Sequence, residues 1–385
     1  MPVAGVVVPL PEPSFSIGIE EEYLLVNRES RDLVDEPPTG LVEAFETHLE
    51  GHFSTELMRT QVEVGTSVCN SIPEVRGEIV RLRRMVADLS AEHGLAPIAA
   101  STHPFARWRD QKRTDKERYH VLQQDMQLVA DRLLICGMHV HVGIEDNNIR
   151  IDTLNQVSYF LPHLLALSTS SPFWEGTDTG LRSYRLCVFD ELPRTGLPER
   201  FESYGEYRRA VDLMISAGLL EDATKMWWDV RPSARFPTLE MRITDVCTRI
   251  EDAICCATYY RCLCRMLYRL RRDNQRWRVY ARMLVDENRW RAQRYGMDRG
   301  MVDFGRGEIV PFADLMEELV VILRDDAEYF DCVEEIEHAR TIISRGTSSH
   351  QQFQTYRQAL ESGATHEEAL KRVVDWLIEA TVAGV

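Results

Sequence analysis

The sequence predicts an α+β fold, in which strands and helices mix over roughly the first 250 residues and helices alone follow. Three observations predict it. Stretches of alternating apolar and polar residues recur before Ile250. From Ile250 onward apolar residues return at helical spacing almost to the C-terminus. The regular strand–helix alternation of a doubly wound parallel sheet is missing. No repeat, low-complexity run or Pro/Gly/Ser linker divides the chain. One domain over residues 1–385 is therefore expected, with a mixed body over about 15–250 and a mainly helical part, 251–385, packed on it.

The elements follow in order. Ser16 to Val26, rich in Ile, Leu and Val, reads as a strand, Leu41 to Leu49 as a short helix, and Leu57 to Ser67 as a half-buried strand. Ile79, Leu82, Met85, Val86 and Leu89 fall on one helical face, which predicts a helix over Ile72 to His93. Leu95 to Ser101 reads as a strand, Tyr119 to Leu133 as a helix, Cys136 to Gly143 as a strand and Ile151 to Ser168 as a helix. Trp227 to Arg231 and Thr238 to Ile243 read as a strand pair. Helices are then expected over Ile250–Leu270, Arg276–Arg291, Pro311–Leu323, Cys332–Ser344, Thr355–Leu360 and Thr365–Ala380.

Composition narrows the function. With 385 residues, 44% apolar and 28% charged, the chain can build a sizeable core. Its 61 acidic residues against 45 basic give a net charge of −16, which would repel a phosphate backbone, so no nucleic-acid partner is expected. An anionic substrate would need local cations or metal ions. The nine cysteines include no C-x-x-C pair and no zinc-finger spacing, and they read as reduced, mostly buried thiols. Met1 to Phe15 is apolar but broken by Pro9, Pro11 and Pro13 and has no basic start, so it does not read as a signal peptide. No apolar run approaches the ~20 residues of a membrane span. A cytoplasmic location without membrane contact is expected.

Four motifs could carry chemistry. In Gly18-Ile19-Glu20-Glu21-Glu22, strand parity puts Glu20 and Glu22 on one face and Glu21 on the other. Paired carboxylates repel unless a cation lies between them, and hard oxygen ligands suit Mg²⁺; a solvated acidic strand end is the plainer reading. Glu56, in Ser54-Thr55-Glu56, precedes Glu63, which lies inside the β-like stretch Gln61-Val62-Glu63-Val64-Gly65. In Gly137-Met138-His139-Val140-His141-Val142-Gly143, His139 and His141 share a face, a pattern that zinc hydrolases also use. Trp227-Trp228-Asp229-Val230-Arg231-Pro232 precedes Thr238-Leu239-Glu240-Met241-Arg242, where Glu240 and Arg242 form either a cross-strand ion pair or a metal ligand beside a phosphate-binding cation. There is no G-x-x-x-x-G-K-[ST] loop, no G-x-G-x-x-G fingerprint and no G-x-S-x-G elbow. Pattern alone thus leaves ATP binding open. Converging carboxylates without thiols favour several Mg²⁺ ions over zinc.

In this order the motifs resemble successive signatures of the type 2 glutamate–cysteine ligase family, most closely its bacterial carboxylate–amine ligase branch. Thr102-His103-Pro104-Phe105, Ser171-Pro172-Phe173-Trp174 through Arg185, Glu287-Asn288-Arg289-Trp290-Arg291 with Arg294-Tyr295-Gly296, and Arg345-Gly346-Thr347 extend the resemblance over about residues 15 to 350. It implies a catalytic domain similar to that of glutamine synthetase, a curved, mostly antiparallel sheet whose concave face holds Mg²⁺, with Mn²⁺ as substitute. Glu20, Glu22, Glu56, Glu63 and Glu240 match the metal-binding carboxylates, and His139 a metal- or phosphate-side histidine. Arg242 matches the arginine beside the transferred phosphoryl group, so that Arg242, His139 and Glu63 would carry catalysis. Arg185, Arg231 and His141 are assigned to nucleotide or substrate contacts. The implied activity joins a small-molecule carboxylate, glutamate by default, to an amine at the expense of ATP, through an acyl phosphate, in a homodimer. Two stretches depart from the family pattern: Gly346-Thr347-Ser348-Ser349-His350-Gln351-Gln352 lacks an acid–basic–Gln run, and Arg182 adds an unexpected charge. Both suggest a substrate pair other than glutamate and cysteine.

Overall fold

The computed structural model describes residues 11–385; the reading of the first ten residues lies outside them. Among the described residues eleven strands form in chain order: β1 (Ile17–Asn27), β2 (Phe53–Thr55), β3 (Gln61–Gly65), β4 (Leu95–Ile98), β5 (Met138–Gly143), β6 (Phe173–Trp174), β7 (Thr177–Asp178), β8 (Val230–Pro232), β9 (Thr238–Met241), β10 (Met301–Asp303) and β11 (Glu308–Val310). Seven of them make one sheet in the order β2-β3-β1-β5-β9-β8, with β4 also pairing to β1, and every pairing is antiparallel. The β6–β7 and β10–β11 pairs are separate small hairpins.

β1 explains why the sheet has two chemically different faces. Ile17, Ile19, Glu21 and Tyr23 are buried, while Gly18, Glu20 and Glu22 are half-buried on the other side. The buried side packs against helices. The helix Ile72–Ala91 is capped by Ser71, whose side chain accepts from the Glu74 N–H, and its apolar stripe includes Ile72, Val75, Ile79, Leu82 and Val86. The 23-residue helix Ile250–Arg272 is enclosed along most of its length and touches β5 and the helices around it. One hydrophobic cluster runs from Phe15 to Leu377, joining the sheet to the C-terminal helices.

The structure differs from the sequence reading mainly where a helix breaks. The stretch over Ile151–Ser168 is two helices, Asn147–Val157 and Leu161–Ser168, because Pro162 lacks an N–H and fits only a first helical turn. Gln127, at φ 51°, separates Glu117–Met126 from Leu128–Asp131. The helix expected at Arg276 starts at Arg282, and the one expected at Thr355 starts at Ser348. The half-buried strand expected over Leu57–Ser67 is confined to β3, with β2 as its hairpin partner. The helix Tyr204–Ser216 had no counterpart in the sequence reading.

Candidate active site

Directly opposed residues of paired strands share a face, and the register therefore builds one row across the sheet. Glu63 on β3 lies opposite Glu22 on β1. Glu20 lies opposite His139 on β5, His141 opposite Glu240 on β9, and Glu240 opposite Arg231 on β8. The row floors a cleft of about 480 Å³, into which Arg185, Arg242 and Glu56, from the β2–β3 connection, also face. A larger cavity of about 600 Å³, bordered by Met297–Gly300 and Ile343–Gly346, contains none of these residues. The carboxylate chemistry, rather than size, makes the smaller cleft the candidate site.

Among the described residues, two groups have donor atoms mutually within 4.8 Å, as a metal ion requires: Glu20 with His139 and Glu240, and Glu22 with Glu63 and His139. His139 is common to both. Glu56 joins neither group, although its charge acts on Glu63. His139 Nδ1 lies 3.2 Å from Glu20 Oε2. His141 Nδ1 meets the Thr238 hydroxyl at 2.9 Å and its Nε2 lies 3.4 Å from Glu20 Oε1. His141 belongs to neither group, so the geometry does not supply the two-imidazole site that a zinc hydrolase built on this strand would need.

The electrostatics divide the row. Burial, followed by the charges of Glu56, Glu20 and Glu22, pushes the Glu63 carboxyl well above the ordinary range. Burial and the charge of Glu22 push Glu56 up to about 7. Burial also raises Glu22, against the pull of Arg185. For Glu20, burial acts upward, but hydrogen bonds with His139 and His141 outweigh it and hold the carboxyl low. For Glu240, burial is likewise outweighed, here by Arg242 and Arg231. Burial and then Arg242 push His139 down to about 4, leaving a neutral imidazole with a lone pair at neutral pH. Three carboxyls that resist shared ionisation, all with hard oxygen donors, fit a divalent cation such as Mg²⁺ or Mn²⁺.

The arginines are held firmly. Arg231 grips Glu240 with Nε at 2.8 Å and Nη2 at 3.0 Å, and gives Nη1 to the Thr224 and Met226 carbonyls. Arg242 Nη1 also bonds Glu240, while its buried Nε has no partner among the described residues. Arg185 donates to the Ile243 carbonyl at 3.2 Å and the Arg242 carbonyl at 3.1 Å. It lies so close to Gly137 that a Cβ there would stand 2.3 Å from Nη2. The Gly137 N–H in turn donates to Glu22 at 2.6 Å.

Glu21 faces away from the cleft. It is fully buried and paired with Arg83 at 2.8 and 2.6 Å. The cleft also contains Trp227, quoted in a motif without a role of its own, and Arg118, Tyr119, Lys225, Arg235 and Phe236, which sequence reasoning missed. They sit in irregular segments or on a helix flank, and no periodicity marks them. The two departures from the family pattern meet elsewhere: Arg182 Nη2 and His350 Nε2 bind opposite oxygens of Asp298 at 2.6 and 3.0 Å, beside the larger cavity. Neither residue lines the carboxylate cleft, so their location lends no support to the substrate difference that the sequence suggested.

Comparison with solved structures defines the fold. A glutamate–cysteine ligase from Francisella tularensis, solved in complex with AMP, superposes with a TM-score of 0.67 over 97% of this chain and 92% of its own, at 15% identity. The expected fold is borne out in its architecture: a mostly antiparallel sheet followed by a helical C-terminal region, shared with that structure. Sequence comparison is more specific. A Rhodospirillum rubrum protein provisionally named glutamate–cysteine ligase 2 is 61% identical over 376 residues, 97% of each chain. A Jannaschia protein of the same name is 52% identical over 365 residues, covering 95% of this chain and 96% of its own. The sequence model of glutamate–cysteine ligase family 2 matches residues 16–375. The chain belongs to glutamate–cysteine ligase family 2 and is a ligase.

Proposed function

We propose that this ligase uses ATP to join a carboxylate, glutamate by default, to an amine, through an acyl phosphate. The observation that carries the reading is the row Glu63–Glu22–Glu20–His139–Glu240 with Arg231 and Arg242 at its end. Glu20, Glu22, Glu56, Glu63, Glu240 and His139 would hold Mg²⁺ or Mn²⁺, which when bound neutralises phosphate charge and aligns the reactants. The row also orients the cleft. Lys225, Arg231, Arg235 and Arg242 gather toward β8–β9, beside Trp227 and Phe236, which suits a nucleotide. That the Francisella relative was solved with AMP supports the use of a nucleotide. Toward β2–β3 the wall sets the apolar Leu57, Leu122, Leu133 and Ile135 beside Glu56, Glu63 and Arg118, and the apolar part would keep water from an activated acyl group.

A carboxylate is a poor electrophile because its oxygen leaves poorly. Transfer of the γ-phosphoryl group to that oxygen creates a leaving group. The amine then attacks the acyl carbon, phosphate departs with the C–O bonding electrons, and an amide forms. Arg242, which faces the cleft, would stabilise charge on the phosphoryl oxygens. His139, neutral at pH 7, presents a lone pair rather than a charge. No side-chain nucleophile is needed. The same reading includes a single ligase domain over residues 1–385, a homodimer and a cytoplasmic location. No helix among the described residues is long and apolar enough to cross a membrane, and all nine cysteines are free thiols, eight of them buried, which suits a reducing compartment.

The test is ADP release with Mg²⁺ over a matrix of acids and amines, with the product identified by mass. ADP is expected only when both an acid and an amine are present. EDTA should abolish it and Mg²⁺ restore it. Amide cleavage without ATP, or tightly held stoichiometric zinc, would overturn the proposal.

A further inference from the structure

Arg289, on the helix Arg282–Tyr295, does not reach the cleft, yet it is 7% exposed and fully engaged. Its Nε and Nη2 bind the two oxygens of Asp229 at 2.7 and 3.1 Å, and its Nη1 and Nη2 bind the two oxygens of Asp190 at 2.7 and 2.9 Å. The two carboxylates lead back to the same place. The Asp229 carbonyl accepts from both Arg242 N (2.8 Å) and Ile243 N (3.1 Å), so two residues stand against one where the β8–β9 ladder ends. Such a bulge re-aims the side chain it carries, and that side chain is Arg242. Asp190 closes the short helix Arg185–Phe189, whose first residue, Arg185, holds the Arg242 and Ile243 carbonyls. The peptide that carries Arg242 is therefore gripped on its N–H side through Asp229 and on its C=O side through Arg185. One guanidinium ties both grips together.

We propose that Arg289 is a positioning residue for Arg242, clamping Asp229 and Asp190 so that the Arg242 guanidinium stays aimed at the cleft. This rests on the phosphoryl-transfer reading of the cleft given above. Arginine suits the role because its planar fork meets two carboxylates bidentately, which a lysine ammonium cannot do. A displacement of about 1 Å at a group that acts on the transition state can lower a rate by roughly a hundredfold.

The experiment is a double-mutant cycle on ADP formation, with kcat and KM for ATP measured separately. Arg289→Lys keeps the charge and loses the fork. It should lower kcat by about tenfold to a hundredfold and change KM for ATP by less than about threefold. In an Arg242→Lys background the same change should lower kcat by less than about threefold, because the group being aimed is already altered. Asp190→Asn, which loosens one arm and leaves the Asp229 grip, should show the same non-additivity in a milder form and serves if Arg289→Lys does not fold. Equal factors in both backgrounds, or an unchanged kcat, would overturn the inference while leaving the proposed function intact. Absence of ADP formation by the unaltered protein with every acid and amine would overturn both.

Discussion

Replacing Glu63 by Gln keeps the size and hydrogen-bonding capacity of the side chain and removes one charge from the row. Its oxygens and those of Glu22 come within 4.8 Å. Two unit charges at that distance repel by about 3 kcal/mol at an effective dielectric constant near 20. Both side chains are half-buried, so water in the cleft makes this an upper figure. The sign follows from the direction of the shifts. Carboxyls raised above their ordinary 4.5 stabilise the fold below that pH, and the contribution is lost as pH rises through their folded values, about 7 for Glu56 and well above the ordinary value for Glu63. Metal-free protein should accordingly lose stability in urea from about pH 4.5 upward through neutrality, and Glu63→Gln should lose up to about 3 kcal/mol less. Mg²⁺ at a hundred times its Kd should restore about 2.7 kcal/mol to the parent and far less to the variant. ADP formation should fall by roughly a hundredfold or more. Near-normal ADP formation by Glu63→Gln, or Mg²⁺ stabilisation equal to that of the parent, would refute metal binding through Glu63 and with it the multi-metal reading.

Glu21→Gln tests the opposite face: it leaves Arg83 a buried, poorly compensated cation and should destabilise the protein by about 3–5 kcal/mol, while the rate per folded molecule stays within a few-fold of the parent; a rate loss as large as that of Glu20→Gln or Glu22→Gln would overturn the strand-face assignment. Burial pushes His163 down to about 4, so its contribution is present above pH 6.5 and lost as pH falls toward 4. Urea titrations of His163→Leu should show on the order of 3 kcal/mol less acid-induced loss over that window, and an unchanged pH slope would contradict this. Light scattering at micromolar concentration should report a dimer, and a purely monomeric mass would remove that part of the proposal.

Strand parity made the row legible. Glu20 and Glu22, and His139 and His141, are pairs two residues apart on extended backbone, Glu240 stands on β9 with Arg242 just past its end, and alternation of burial along β1 follows from Ile17, Ile19 and Tyr23. Parity does not say which strands lie side by side. That Glu20 faces His139 and that Glu63 faces Glu22 depends on a register fixed by contacts more than a hundred residues apart in one case and about forty in the other. The partners of the arginines were hidden for the same reason. Arg83 reaches Glu21 from a distant helix, and Arg289 joins Asp190 to Asp229 across the fold. Helix ends were misplaced where one residue overrode periodicity, as at Pro162 and Gln127. Lys225 and Arg235 lie where no repeating pattern exists, and Arg118 is in the first turn of a helix whose periodicity does not mark it, so only the folded cleft reveals them.

The buried pairing of Glu21 with Arg83 bears on more than the back of the sheet. β1 carries three successive glutamates, and its alternation assigns one to a waiting cation and two to the cleft. A slip of one residue would exchange the faces. Glu20 and Glu22 would then enter an apolar layer that offers one guanidinium for two charges, while a single carboxylate remained in front. The misaligned strand would be penalised twice, once in the core and once at the site. The charge that never touches a substrate thus acts as a key for alignment. A deletion or insertion within Ile17–Glu22 should be harder to tolerate than any single substitution there, because it breaks the match on both sides at once.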